Sequence, residues 1–229
     1  MSTLLIKSGW QAVNIGDTGH TPGILKVAKE NFRGSRIILW IEDDSMGVRA
    51  MLKHYFPDIE IVKGVFRDGK FSTPELEKAF NESDMLILSS SPCIHEEYLK
   101  NWMEFSNKPF GIFGTTVDKS AETKLAGKDS CLREILDKAS FIFARETTSL
   151  NVLKGMKPLC PVVSFTPDVC VASEIADEKT ALAYLEANGL SSGEYLCATP
   201  RLRQTPYHYF RWGTRSEERR VGKECRSRW

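Results

Sequence analysis

Short apolar runs alternate along the chain with longer segments whose apolar residues recur at helical spacing. Leu4-Leu5-Ile6, Ile37–Ile41, Ile59–Val62, Met85–Leu88, Phe110–Gly114, Phe141–Arg145 and Pro161–Ser164 are the strand candidates. Several are continuously apolar, as strands covered on both faces are. Between them lie helical patterns: Leu25, Val27 and Ala28; Met46, Ala50, Met51, Leu52 and Tyr55; Leu76 and Phe80; Tyr98, Leu99 and Trp102; Leu132, Ile135 and Leu136; and Thr147 to Leu153. The first of these is expected to begin with Thr21 as its cap and Pro22 as an early helix residue, to carry its helical pattern from Ile24 onward, and to end near Phe32-Arg33-Gly34. Ser72-Thr73-Pro74-Glu75 is a capping-type start for the third. This alternation predicts an α/β fold: a Rossmann-like, mainly parallel sheet with helices on both faces and right-handed crossovers.

The pattern changes after the last strand. Residues 1–175 are expected to form a Rossmann-like N-terminal domain. Residues 176–193 follow as a connecting helix, whose spacing begins at Glu174 and whose stop is Gly189. Residues 194–212, with a strand at Tyr195–Pro200, read as the start of a truncated second domain. Residues 213–229 carry six basic residues against three acidic ones and few apolar residues. That segment reads as a non-native tail.

Composition narrows the function classes. With 229 residues and 41% hydrophobic content, the chain can bury a sizeable core. Thirty-one Lys and Arg balance 30 Asp and Glu, which gives no electrostatic case for nucleic acid or an anionic membrane. No apolar stretch is long enough for a transmembrane segment. The six cysteines lack zinc or disulfide spacing and suggest a reducing, cytoplasmic compartment.

The candidate chemistry gathers at predicted strand ends, where open parallel sheets place ligands. Gly9 to Gly23 follows the first strand as a long polar loop. Within it, Asn14 and Asp17 can accept from sugar hydroxyls, and Gly16 lets a ligand approach the backbone. Asp17 can also serve as a base, and His20 can do acid–base work or orient a phosphate. An Asx-turn that only shapes the loop is the plainer account of Asn14 and Asp17. The loop has no GxGxxG, and the chain has no GxxxxGK[ST]. Arg145 ends a strand, and Ser149 lies in the next helix's first turn, where Arg and helix amides can hold an anion. Asp168 closes the last strand. An Arg145–Asp168 pair bracing two strand ends is the structural alternative. His95 starts a helix beside the fourth strand's end, and Ser89–Ser91 and Gly114–Thr116 offer weaker polar contacts.

Asn14-Ile15-Gly16-Asp17 with His20-Thr21-Pro22-Gly23, then Ala144-Arg145-Glu146-x-x-Ser149 and Pro167-Asp168, resemble the polysaccharide pyruvyl transferase family. Trp10 and Arg201-Leu202-Arg203-x-Thr205-Pro206-Tyr207 are similar to a bacterial branch of it, and the resemblance covers about residues 4–211. It implies the N-terminal half of a GT-B-like two-domain enzyme. Such an enzyme moves a pyruvyl group from phosphoenolpyruvate to sugar hydroxyls of a cell-surface polysaccharide. The partners implied are phosphoenolpyruvate and a glycan or lipid-linked sugar acceptor, with Asn14, Gly16 and Asp17 near the acceptor and Arg145 near the anionic donor. Asp17 is the candidate base and His20 the candidate acid, and no metal or cofactor is demanded. A cleft enzyme with one wall is expected to be inactive alone. A nucleotide-sugar glycosyltransferase-like enzyme and a non-catalytic α/β binding domain remain the alternatives.

Overall fold

The computed structural model describes residues 2–9, 12, 14–125 and 131–196. Compact units divide at Ile175: Met1–Ile175 and Ala176–Trp229. The first unit holds one seven-stranded sheet in the order β3-β2-β1-β6-β7-β8-β9. These strands are β1 (Thr3–Lys7), β2 (Arg36–Ile41), β3 (Glu60–Lys63), β6 (Met85–Leu88), β7 (Phe110–Thr115), β8 (Phe141–Ala144) and β9 (Val163–Phe165). Every pairing is parallel, with Leu5 opposite Ile38 on one side and Leu86 on the other. The predicted parallel α/β architecture is therefore present.

Alternation along each strand feeds two cores. Leu5, Ile38, Trp40, Leu86, Leu88 and Ile112 pack with Phe80, Leu99, Trp102, Leu136 and Leu153. Those come from α3 (Pro74–Glu82), α4 (Glu96–Ser106), α6 (Leu132–Lys138) and α7 (Thr147–Met156). On the opposite face Leu4, Ile6, Leu39 and Ile41 meet α1 (Ile15–Asn31), α2 (Val48–Tyr55) and a short 3-10 turn, Val169–Ala172. The strands read as continuous apolar runs because both faces are covered.

The hairpin β4 (Phe66–Arg67) and β5 (Lys70–Phe71) lies outside the sequence-based expectations. Its Asp68-Gly69 turn has positive φ at both central residues, the hairpin geometry that Asp-Gly favours. Phe66 stacks on Phe71, and both pack edge-on to Phe80. The polar stretch after β7 also contains a short helix, α5 (Ser120–Leu125).

In the second unit, α8 (Glu178–Ala187) is capped by Asp177, whose carboxylate accepts from the Thr180 amide. The described part of the proposed strand, Tyr195 and Leu196, is not in a strand, and Cys197–Pro200 lies outside the described residues. So do residues 201–212 and the 213–229 tail.

Candidate functional site

The C-terminal ends of all seven strands share one edge of the sheet. Strand order reverses between β1 and β6, so the loops after Lys7 and Leu88 diverge there and leave a crevice, the usual ligand position in open α/β sheets. A bulge in β7 between Phe113 and Thr115 bends the neighbouring strand end. Gly114 makes the bulge with φ +76°, and a Cβ there would stand 2.6 Å from Ser90 Oγ.

α1 already begins at Ile15, which corrects the expected start after a Thr21 cap. Asn14 is the N-cap: its side chain accepts from the Gly16 amide at 3.0 Å, and its carbonyl accepts from Thr18 N at 3.0 Å. Thr21 is not a cap. It is buried inside α1, with its hydroxyl 2.8 Å from that of Ser8. Pro22 lies in the helix interior, where it removes one backbone bond. With three glycines and a proline in nine residues, local propensity disfavours this segment. Burial of Ile24, Leu25 and Ala28 against the sheet overrides it. Asp17 and His20 are consequently three residues apart on a helix and share a face.

His20, Arg145 and Asp168 are brought together, although the first two are 125 positions apart in sequence. Asp168 Oδ2 accepts from Arg145 at 2.8 Å, while Oδ1 lies 3.2 Å from His20 Nε2 and accepts from the Cys170 amide at 3.1 Å. Arg145 Nε also donates to Thr116 Oγ1 at 2.8 Å. Burial works against the Asp168 charge. The bonds from His20 and the Cys170 amide, with the nearby His20 and Arg145 groups, prevail and hold its carboxyl well below the usual range. The bracing pair foreseen between Arg145 and Asp168 is thus present, with an imidazole as its third member.

Gly23 makes this cluster possible. A Cβ built on it would lie 1.8 Å from the Val169 carbonyl oxygen, so α1 packs directly on the turn that carries Asp168 and Cys170. His20 Nδ1 is buried and makes no hydrogen bond to the described residues.

Ser149 stands apart from this group. It is fully buried, accepting from the Val117 amide at 2.8 Å and donating to Glu146 at 2.7 Å. Its hydroxyl ties the segment after β7 to the start of α7. Gly16 is exposed at the start of α1, one residue before Asp17.

A second polar group escaped the sequence reading. Lys7, the last residue of β1, is fully buried, with Nζ 3.2 Å from Glu42 and about 5 Å above the rings of Trp40 and Tyr98. The Tyr98 hydroxyl donates to the same Glu42 oxygen, and the His95 ring lies 5.9 Å from that of Tyr98. Burial pushes the Lys7 ammonium down to about 8, against the opposing pull of Glu42. It raises the Tyr98 hydroxyl, helped by the bond to Glu42, and lowers His95, helped by the Lys7 charge. Perturbed groups of this kind concentrate at functional sites. A lysine closing an apolar strand was the available signal.

A small, open cleft lies between the segments after β6 and β7. Cys93, Glu96, Thr116, Asp118 and Lys124 line it, with Ile94 and Leu132. Thr116 joins it to Arg145. No helix among the described residues is long and apolar enough to cross a membrane.

A family model, polysaccharide pyruvyl transferase, matches residues 20–215. The crystal structure of Anabaena Alr3699/HepE in complex with UDP-glucose is similar in fold, with a TM-score of 0.51 at 9% identity, covering 82% of this chain and 50% of that one. UDP-GlcNAc 2-epimerase from Neisseria meningitidis, bound to UDP-GlcNAc, gives 0.47 at 13% identity, covering 83% and 52%. No curated protein matches the sequence. The chain spans about half the length of these solved structures, and its parallel sheet and the likeness to the first of them give it the fold of a GT-B-like Rossmann domain.

Proposed function

The chain belongs to the polysaccharide pyruvyl transferase family, and from that premise we propose that it forms one wall of a sugar-handling transferase. The observation that carries the reading is the His20–Asp168–Arg145 cluster at the strand ends, beside the α1 turn bearing Asn14, Gly16 and Asp17. A cation held by a carboxylate at a crevice can meet an anionic donor, and the adjacent imidazole and carboxylate can exchange protons with it.

In the finer reading the donor is phosphoenolpyruvate. Ketal formation protonates the methylene carbon, adds one sugar hydroxyl to the carbon bearing oxygen, and expels phosphate as the second hydroxyl closes. Each hydroxyl loses a proton as it bonds. Asp17 would take the first of these protons, and His20 would supply the one added to carbon and recover the one released as the second hydroxyl closes. Phosphate would carry away the net remaining proton, and Arg145 would neutralise the donor's carboxylate or phosphate. Asn14 and Gly16 would lie along the acceptor. Ser149, buried behind Arg145, would fix the strand-to-helix turn from which that side chain projects.

A specific comparison favours a second reading, nucleotide-sugar handling. HepE, whose fold this chain shares, was solved with UDP-glucose. That fold accommodates a nucleotide sugar, whereas the pyruvyl reading leans on the family match.

Ligand-observed saturation-transfer NMR on the purified chain separates the two. Saturation of phosphoenolpyruvate, lost in Arg145→Met, supports the pyruvyl reading. Saturation of UDP-glucose without phosphoenolpyruvate supports the second, and saturation of neither overturns both.

A further inference from the structure

We propose that His20, Asp168 and Cys170 form a binding site for a borderline-soft divalent cation, zinc being the best fit. One ligand atom from each of the three residues lies within 4.8 Å of the others. The inference goes beyond the transferase reading and competes with it for one residue: a cation on His20 Nε2 would take the place of the proton-donor role given to that imidazole.

The site is assembled by local geometry from two elements. Asp168 caps the 3-10 turn by accepting from the Cys170 amide, so residues two apart in sequence present carboxylate and thiol together. α1 then brings the imidazole to them, at the close approach that Gly23 permits. His20 Nε2 already points at Asp168 Oδ1. A cation there would take the place of the proton between them.

The donor set selects the ion. Thiolate, imidazole and a single carboxylate oxygen suit zinc, while magnesium and calcium require mostly oxygen. Tetrahedral zinc with bonds near 2.0–2.3 Å needs donor separations of about 3.3–3.8 Å. The present spread is wider than that, and Cys170, the exposed member, is the one whose side chain would have to turn inward to close it. Arg145 holds the other Asp168 oxygen, so it orients the carboxylate without occupying the facing lone pair. Its positive charge offsets part of the negative charge that a thiolate and a carboxylate bring together. Three protein donors leave the fourth position open, as in zinc sites that admit water or a substrate oxygen.

Binding deprotonates the thiol, with the proton passing to buffer, and the metal undergoes no redox change. The test uses the complete 229-residue chain, reduced, chelator-treated and titrated with Co²⁺ as a spectroscopic stand-in. The expected result is one equivalent bound, with a thiolate-to-cobalt charge-transfer band that Zn²⁺ abolishes. Cys170→Ser should lose the band and weaken binding by more than about tenfold. Cys93→Ser and Cys131→Ser should keep it. His20→Gln should also weaken binding, with circular dichroism reporting whether α1 survives. Cys170 is exposed, so its serine variant should fold and decides the matter. Absence of the band in the unaltered chain, or its persistence in Cys170→Ser, overturns the site.

Discussion

Gly23→Ala isolates the contact on which the candidate site depends. The added methyl would meet the Val169 carbonyl oxygen at 1.8 Å, against a normal carbon–oxygen approach of about 3.3–3.6 Å. α1 and the 3-10 turn must therefore separate by roughly 1.5 Å, or the turn must refold. The obstacle is backbone, which cannot rotate away as a side-chain end can. Overpacking of this kind costs about 1–3 kcal/mol, and the upper half of that range is expected here. Gly19→Ala is the internal control. It lies four residues earlier in the same helix with open space around it, and alanine there should gain up to about 1 kcal/mol from propensity alone. The two variants should differ by about 2–4 kcal/mol in urea unfolding, with equal m-values. A difference of about 1 kcal/mol is worth roughly 2–4 °C in Tm for a domain of this size. Equal midpoints for the two alanine variants would refute the close packing and, with it, the account of how His20 reaches Asp168.

Other outcomes follow from the polar groups. Asp168→Asn should cost about 2 kcal/mol at neutral pH, because the amide keeps a hydrogen-bond acceptor but loses the charge facing Arg145; thermal melts at pH 7 measure it. The folded Asp168 carboxyl is held below its ordinary value, so its stabilisation is complete above the unfolded value and disappears as pH falls toward the folded one. The acid limb of the stability curve should flatten in the Asn variant. Lys7 behaves oppositely: its folded value is about 8 against 10.5 unperturbed, so the unfolded chain holds more protons in that interval. Stability from this group should rise as pH climbs from 8 toward 10.5, and denaturation midpoints of Lys7→Met should lack that rise. Ser149→Ala should cost about 1–3 kcal/mol by stranding the Val117 amide, with no change in anion binding once stability is restored by lower temperature; isothermal titration at two temperatures checks this.

Most of the sheet was legible because each strand is a compact apolar run and each crossover helix carries a stripe. Leu4-Leu5-Ile6 and Met85–Leu88 announce burial on both faces without help from any other part of the chain. The hairpin was missed because its strands are two residues each, too short for alternation to register. The start of α1 was missed for a different reason. Gly16, Gly19, Pro22 and Gly23 read locally as loop, and only the contact with Val169, far along the chain, explains why glycine is needed inside a helix. Arg145 and Asp168 were legible as strand-end residues, and their pairing was foreseen as an alternative. His20 as the third member was not foreseen, because a 3.2 Å contact across so much sequence leaves no local trace. Lys7 was passed over because a strand-ending lysine usually reaches solvent, whereas this one is sealed under Trp40 and Tyr98.

The position of β1 shapes how the protein comes into being. β1 precedes β6 by some eighty residues yet is an interior strand, hydrogen-bonded on one side to β2 and on the other to β6, with Leu4 facing Met85. At about 5–20 residues per second, roughly 4–16 s separate the synthesis of those two residues. Until Met85–Leu88 emerges, the nascent Leu4-Leu5-Ile6 segment has an open edge that any passing strand can pair with. Removing Thr3–Lys7 would accordingly take out the middle of the sheet and leave two half-sheets with no shared seam.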